Sequence, residues 1–276
     1  SDEGILISIE TTAEDIGGND DLSAGDGSNV LIGGVGEDTI NGGADRDVVL
    51  GDNGKATFTA GILTDIQTTA PTIGGNDTIT AGAGSNVVIG GVGLDTITGG
   101  ADEDVVLGDN GHAIFNAAGI LISIVTTNPD IGGVDTITVG DGVNTVLGGI
   151  GGDTINGGVN RDVVVGDNGS AAFNDAGVLV AITTSDAAVA GAYNELILAG
   201  NGPDVVFGGN GVDDIQAGGD LADDVVVGDN GSATFSADGV LLTIQTSDAA
   251  IGGDDVIDAG DGNNIVIGGY GEDTIT

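Results

Sequence analysis

The chain of 276 residues has no cysteine, methionine or tryptophan, and only three prolines, one histidine and three Lys or Arg. Without cysteine there can be no disulfide scaffold and no cysteine-ligated metal. With a single histidine as well, a Ser–His–Asp or Cys–His site has little support. Aromatic residues make up 3% of the chain while glycine occurs 56 times, which suits thin stacked coils better than a globular core. No apolar run is long enough to span a bilayer, and no secretory leader is evident. Bases are so scarce that 44 acids leave a formal charge of −41. Such a chain should repel nucleic acid and anionic membrane surfaces and resist its own compaction. The expectation is a protein that is not an enzyme.

What is present is repetition. Gly61 to Ala118 recurs as close copies beginning at Gly4, Gly119, Gly177 and Gly239, at intervals of 57, 58, 58 and 62 residues. A fixed period marks a repeat architecture, in which each unit buries its core by stacking on its neighbours. We read a single array of units 4–60, 61–118, 119–176, 177–238 and 239–276, forming a window of a longer protein. The lone His112 has Lys55, Ser170 and Ser232 as its counterparts, which marks a solvated strand position. Formal glycosylation sequons at Asn168 and Asn230 fall in tight turns and carry no weight.

Inside each unit runs a nine-residue rhythm, clearest in Gly90-Gly91-Val92-Gly93-Leu94-Asp95-Thr96-Ile97-Thr98 and repeated at 33–41, 148–156 and 268–276. Glycines supply the backbone angles of a tight turn, and three residues around a central Val, Ile or Leu make a short strand. Turn and strand in alternation give an all-β fold, a parallel β-solenoid with two strands per coil. Ile40, Val49, Ile97, Val106, Ile155 and Val164 point inward.

These nonapeptides closely resemble those of the RTX family of secreted bacterial proteins, G-G-x-G-x-D-x-U-x with U a large apolar residue. The resemblance covers nearly the whole chain. It implies a parallel β-roll and calcium held between stacked turns by the sixth-position carboxylate and by turn carbonyls. The corresponding residues here are Asp20, Asp38, Asp47, Asp77, Asp95, Asp104, Asp135, Asp153, Asp162, Asp204, Asp213, Asp224, Asp255 and Asp273. Asp45 and Asp102 in the same turns, and Asp52, Asp109, Asp167 and Asp229 of the Gly-Asp-Asn-Gly tetrapeptides, join the candidate metal ligands. Departures are Asn29, Asn86, Asn144 and Asn264, which offer calcium only a neutral oxygen and so a weaker site, and Glu195. About twenty divalent ions would neutralise the charge, and hard oxygen ligands suit calcium. Metal would then do the stapling that disulfides do in other secreted proteins.

Each unit also holds 22 residues outside the nonapeptide pattern, beginning Gly108-Asp109-Asn110-Gly111 in the second copy. Two readings stand. In the first the segment continues the roll, with Phe58, Phe115, Phe173 and Phe235 in the inward slot. That gives three coils per unit, about fourteen in all, and a body ~65–70 Å long. In the second it is a β-hairpin outside the roll, since Asn-Gly is a strong hairpin signal. The first is preferred.

The outward residues of the two sides differ. Odd nonapeptides show Thr39, Thr78, Thr80, Thr96, Thr98, Thr136 and Thr138, while even ones show Val48, Leu50, Val87, Ile89, Val105, Leu107, Val163, Val165, Val205 and Phe207. An apolar stripe along the even side would reach roughly 600–700 Å², large for an exposed patch, so something covers it. The candidates are the chain's own hairpins or a second molecule. We expect self-association, lateral through the even face or end to end. The functional expectation is a calcium-binding structural segment that folds outside the cell into a stiff rod, as part of a filament, adhesin stalk or surface layer. The alternatives are a passive export or folding segment of an RTX toxin or enzyme, and a module binding ice or glycan.

Overall fold

The computed structural model describes residues 5–185, 193–248 and 250–276, and Gly4, the opening of the first unit, lies outside them. The described chain forms three layers of strands: a ten-stranded sheet of the odd nonapeptides, a nine-stranded sheet of the even ones, and a second nine-stranded sheet of different character. Both nonapeptide sheets are parallel and in register. Ile79 pairs with Ile97 and Ile97 with Ile137 on the odd side, and Val88 with Val106 and Val106 with Val146 on the even side. This is the expected β-roll.

The register follows from the turns. Gly91 and Gly93 have φ of 121° and 151°, a region closed to residues with a Cβ. Each turn also lies flat on the one before it. A Cβ on Gly93 would sit 2.0 Å from the Gly75 carbonyl oxygen, so a side chain there would separate the coils. Between the parallel sheets, Ile40, Val49, Ile79, Val88, Ile97, Val106, Ile137 and their counterparts form one continuous interior. Each residue touches copies of itself above and below.

The third sheet overturns the preferred reading of the 22-residue segments. They do not continue the roll. Gly54–Thr59 and Ile62–Thr68, Gly111–Phe115 and Leu121–Thr126, Gly169–Phe173 and Leu179–Thr184, and Gly231–Phe235 and Leu241–Thr246 form four antiparallel hairpins. The turn of each hairpin straddles a unit boundary, as between Phe115 and Leu121, and each hairpin pairs with the next, as Ser123 with Ala172 and Ala181 with Thr234. A unit therefore has two coils of roll and one hairpin. The roll is ten strands deep on its longer side, or about 45 Å at ~4.8 Å per strand, well short of the length expected from fourteen coils.

The hairpin sheet lies on the apolar even face. Val48, Leu50, Val87, Ile89, Leu107, Leu147, Val163, Val165, Val205 and Phe207 form one core with Ala56, Ile66, Ala113, Phe115, Ile124, Ala171, Ile182 and Phe235 of the hairpins. Lateral association through that face is thus corrected, because the protein buries the stripe against its own chain. Every hairpin carries a register shift just before its Phe, the mark of a β-bulge that re-aims a side chain. In the second and fourth hairpins the ring is 4% exposed.

The Asn-Gly signal has a different local meaning from the one it suggests. The hairpins turn at residues such as Asn116–Gly119, where the Gly119 amide donates to the Asn116 carbonyl at 2.9 Å. Gly111 instead marks the crossing from roll to hairpin. A Cβ there would meet Leu107 Cδ2 at 2.1 Å, so only glycine lets the strand pass so close over the even sheet. Phe115→Ala is expected to lower stability in calcium by about 3–5 kcal/mol, the range for an emptied aromatic site, while the exposed Thr96→Ala stays within ~0.5 kcal/mol. Urea midpoints of the two variants check this.

Candidate metal sites between the stacked turns

The sixth residues of successive turns form two ladders up the sides of the roll. On the odd side the Asp20 amide donates to Asp38 Oδ1, Asp38 to Asp77, Asp77 to Asp95, Asp95 to Asp135 and Asp135 to Asp153, at 2.7–2.8 Å. The ladder resumes from Glu195 to Asp213, Asp255 and Asp273. One carboxylate oxygen of each rung thus fixes the backbone of its neighbour, one coil away.

The other oxygen has no such partner. Among the described residues, Oδ2 of Asp38, Asp47, Asp77, Asp95, Asp135, Asp153, Asp162, Asp204, Asp213 and Asp255 is buried without a hydrogen bond. A buried, unpaired carboxylate oxygen is costly. All but that of Asp204 point into a small space shared with a main-chain carbonyl of the adjacent turn. A Cβ built on Gly33 would lie 2.4 Å from Asp38 Oδ2 and 2.1 Å from the Gly51 carbonyl oxygen. On Gly108 it would lie 2.3 Å from both Asp135 Oδ2 and the Gly148 carbonyl. The same convergence recurs at Gly42, Gly51, Gly90, Gly148, Gly157, Gly208 and Gly228. Glycine keeps the space open and oxygens line it, which fits a hard cation. Among the described residues no three acidic or histidine side chains converge. A cation would therefore rest on a carboxylate of one turn and on main-chain carbonyls.

Burial is the first cause of the high pKa values along the ladder. It pushes Asp77, Asp95, Asp135, Asp204 and Asp255 up to about 8, and neighbouring carboxylates add to the effect. Glu195, which stands in an Asp position, is raised by the same burial. Two unit charges a coil apart repel by about 3–4 kcal/mol at an effective dielectric of ~20.

The even ladder is diluted by asparagine. Asn86 Oδ1 accepts the Asp47 amide at 2.8 Å, and its Nδ2 donates to the Gly84 carbonyl at 2.7 Å and to Asp104 Oδ1 at 3.0 Å. The Nδ2 groups of Asn29 and Asn144 likewise donate to a carbonyl of their own turn and to Asp47 and Asp162 Oδ1, Asn144 Oδ1 accepts the Asp104 amide, and Asn264 bonds its own turn through Ala259. The sequence suggests a weak calcium ligand at these positions. The structure shows an amide that itself joins one turn to the next, its N–H groups taking up the carbonyls. Asp104 Oδ2 differs from its neighbours in accepting the Gly100 amide at 2.8 Å. Asp224 follows Asp204 on this ladder.

The Gly-Asp-Asn-Gly aspartates stand elsewhere. Asp52 accepts the Gly75 amide at 3.0 Å and the Val92 amide at 2.6 Å, so one side chain ties two odd turns together. Asp109 does so for Gly133 and Ile150, Asp229 for Gly253 and Tyr270, and Asp167 accepts the Asn210 amide. Asp52, Asp109 and Asp229 thus have both oxygens committed to amides and not to the glycine-lined spaces. Burial pushes Asp52 up to about 9 and Asp109 to about 10. Nothing in spacing separates these aspartates from the ladder; only the hairpin crossing places them between turns. Asp45 and Asp102 lie at the exposed rim, each accepting a turn amide of the preceding coil.

Two outcomes follow. Raised carboxylate pKa values mean that the metal-free fold is favoured in protonated form. Its stability is fully present below about pH 4, falls as the pH rises from there and is gone once it passes about 8, so in EDTA circular dichroism should show β-structure at pH 4 and most of it lost by pH 7.5. Asp95→Asn should reproduce the Asn86 arrangement. The variant should be more folded than the parent in EDTA and hold less calcium in equilibrium dialysis, whereas Asn86→Asp should do the reverse.

The family model for the RTX calcium-binding nonapeptide repeat matches residues 16–54, 74–95, 80–114, 132–170, 189–221 and 250–276, more than half of the chain. No curated protein and no solved structure matched. The stretches between the matches hold most of each hairpin, the part of the unit that departs from the nonapeptide pattern. By these repeats, and by the roll they build, the chain belongs to the RTX calcium-binding repeat family.

Proposed function

We propose that this segment is a calcium-dependent structural element that folds outside the cell into a stiff rod and takes no part in catalysis. The observation that carries it is the row of buried, unpaired Oδ2 atoms facing main-chain carbonyls, in a chain of net charge −41. Calcium, when bound, supplies the positive charge between successive carboxylates. Asp38, Asp77, Asp95, Asp135, Asp153, Asp213 and Asp255 would hold it on the odd side, and Asp47, Asp162 and Asp204 on the even side.

The residues themselves perform the rest. Where calcium is scarce, the charged ladder opposes stacking and the chain stays open, in a form suited to export. Where it is millimolar, the rungs close. A site with a dissociation constant one-hundredth of the free ion concentration adds about 2.7 kcal/mol, and several such sites outweigh the small apolar interior. The hairpin sheet stiffens one side of the roll. What is delivered is length and a repeated surface, in a filament, adhesin stalk or surface layer.

Self-association belongs to this reading in its end-to-end form. An open end of a roll would expose strand edges, which invites end-to-end stacking. One further reading has its own observation. Thr39, Thr78, Thr96 and Thr136 are exposed and in register along the odd face, so the array could bind ice or glycan, although Leu196 and Asp214 interrupt it. Thermal hysteresis in dilute solution would favour that reading over a plain rod.

The test is analytical ultracentrifugation with circular dichroism in EDTA and in 5–10 mM calcium at pH 7.5. The rod reading expects a disordered monomer to become β-rich, with polymers if ends meet. No gain of β-structure on adding calcium would overturn it.

A further inference from the structure

The chain has only two arginines, Arg46 and Arg161, and they occupy the same position in alternate units. Each reaches the hairpin of the following unit. The Arg46 guanidinium donates to the Gly119 carbonyl and lies 5.2 Å from the centre of the Phe115 ring. Arg161 donates to the Gly239 carbonyl at 2.7 Å and lies 5.0 Å from the Phe235 ring centre. A guanidinium over an aromatic face with a carbonyl at its edge is a cation–π slot. It seals both rings, which are 4% exposed.

The unit between them carries Glu103 in place of arginine. Its target hairpin has the same parts, Phe173 and Gly177, but no cation. Phe173 is half-buried, and no described residue donates to the Gly177 carbonyl. A Cβ on Gly119 or Gly239 would meet an arginine nitrogen within 4 Å, whereas on Gly177 it would meet only Ile120. Glu103, Phe173 and Gly177 line two adjoining cavities of about 230 and 290 Å³, one bounded by Arg46 and the other by Arg161. The slot is open where its neighbours are filled, and its charge is reversed.

We propose that this slot binds an arginine side chain supplied by a separate polypeptide. The guanidinium would take the Gly177 carbonyl and the Phe173 face, as Arg46 and Arg161 do in the adjacent units, and pair with Glu103. A second copy of this chain is not the source, because both of its arginines are engaged within their own protein. The net charge of −41 draws a basic partner towards the groove. The inference is independent of the calcium ladder, which lies in the turns.

The experiment uses the full chain in 10 mM calcium and follows the Phe ring and Gly177 amide resonances by NMR during titration with a Gly-Arg-Gly peptide. The expected result is a saturable shift at Phe173 and Gly177 and none at Phe115 or Phe235. Glu103→Gln should weaken binding about tenfold, a loss of ~1.4 kcal/mol. Glu103→Arg should abolish it, with Phe173 taking on the ring environment of Phe115. No saturable shift at Phe173, or an undiminished one in Glu103→Arg, would overturn the proposal. Equal binding of Gly-Lys-Gly would overturn its guanidinium specificity, and equal binding of free guanidinium would overturn the polypeptide source.

Discussion

Everything in this fold depends on stacking like charges at the spacing of a β-sheet. A solenoid repeats whatever stands at one position of its turn, and here that position is an acid. On the odd side Asp20, Asp38, Asp77, Asp95, Asp135 and Asp153 follow one another without interruption, and from Asp38 onward each accepts through one oxygen the backbone amide of the rung before it. The geometry that makes the coil regular is the geometry that makes it electrostatically unfavourable. Burial adds to the repulsion, since a carboxylate removed from water prefers its proton. The unpaired oxygens and the glycine-kept spaces beside them belong together, as two halves of an arrangement that a cation completes.

The even side answers the same constraint differently. Asparagine at alternate rungs from Asn29 to Asn144, and again at Asn264, lowers the charge and supplies an N–H donor between turns, as Asn86 does between Gly84 and Asp104. That side has a second demand, because its outward face is apolar. The hairpins meet it. They add a layer that buries Leu50, Ile89, Leu107 and Leu147, and the Asp52 and Asp109 carboxylates at the crossings tie the odd turns to the point where the chain leaves the roll. The third layer thus covers the even face while its connections brace the odd turns.

Much of this was legible in the residues. The period of nine gives the turn, the three-residue strand and the inward Ile or Val, because the glycine positions and the β-branched positions have separate physical causes. The sixth-position Asp stands out by the same spacing, and its ligand chemistry is what the resemblance to the RTX repeats implies. The path of the 22-residue segment did not follow, because a Phe flanked by small residues satisfies the inward slot of a roll as well as the underside of a hairpin. The apolar even face held the deciding information, since a strand hydrophobic on both faces must be covered on both. The role of Asp52 and its copies was also hidden. An Asp before Asn-Gly looks like any turn acid until the hairpin places it beside the amides of Gly75 and Val92. The alternation of Arg46, Glu103 and Arg161 was visible, but its meaning required knowing which ring each one faces.

The most direct measurement is a crystal structure of the calcium-loaded chain with anomalous differences collected to locate the ions. The account predicts peaks in the odd-side spaces bounded by Asp38 and the Gly51 carbonyl, by Asp95 and the Gly108 carbonyl, and by Asp135 and the Gly148 carbonyl, with none at the Asn86 turn. Peaks confined to the outer surface, or sited at Asp52 and Asp109 with the odd ladder empty, would contradict it.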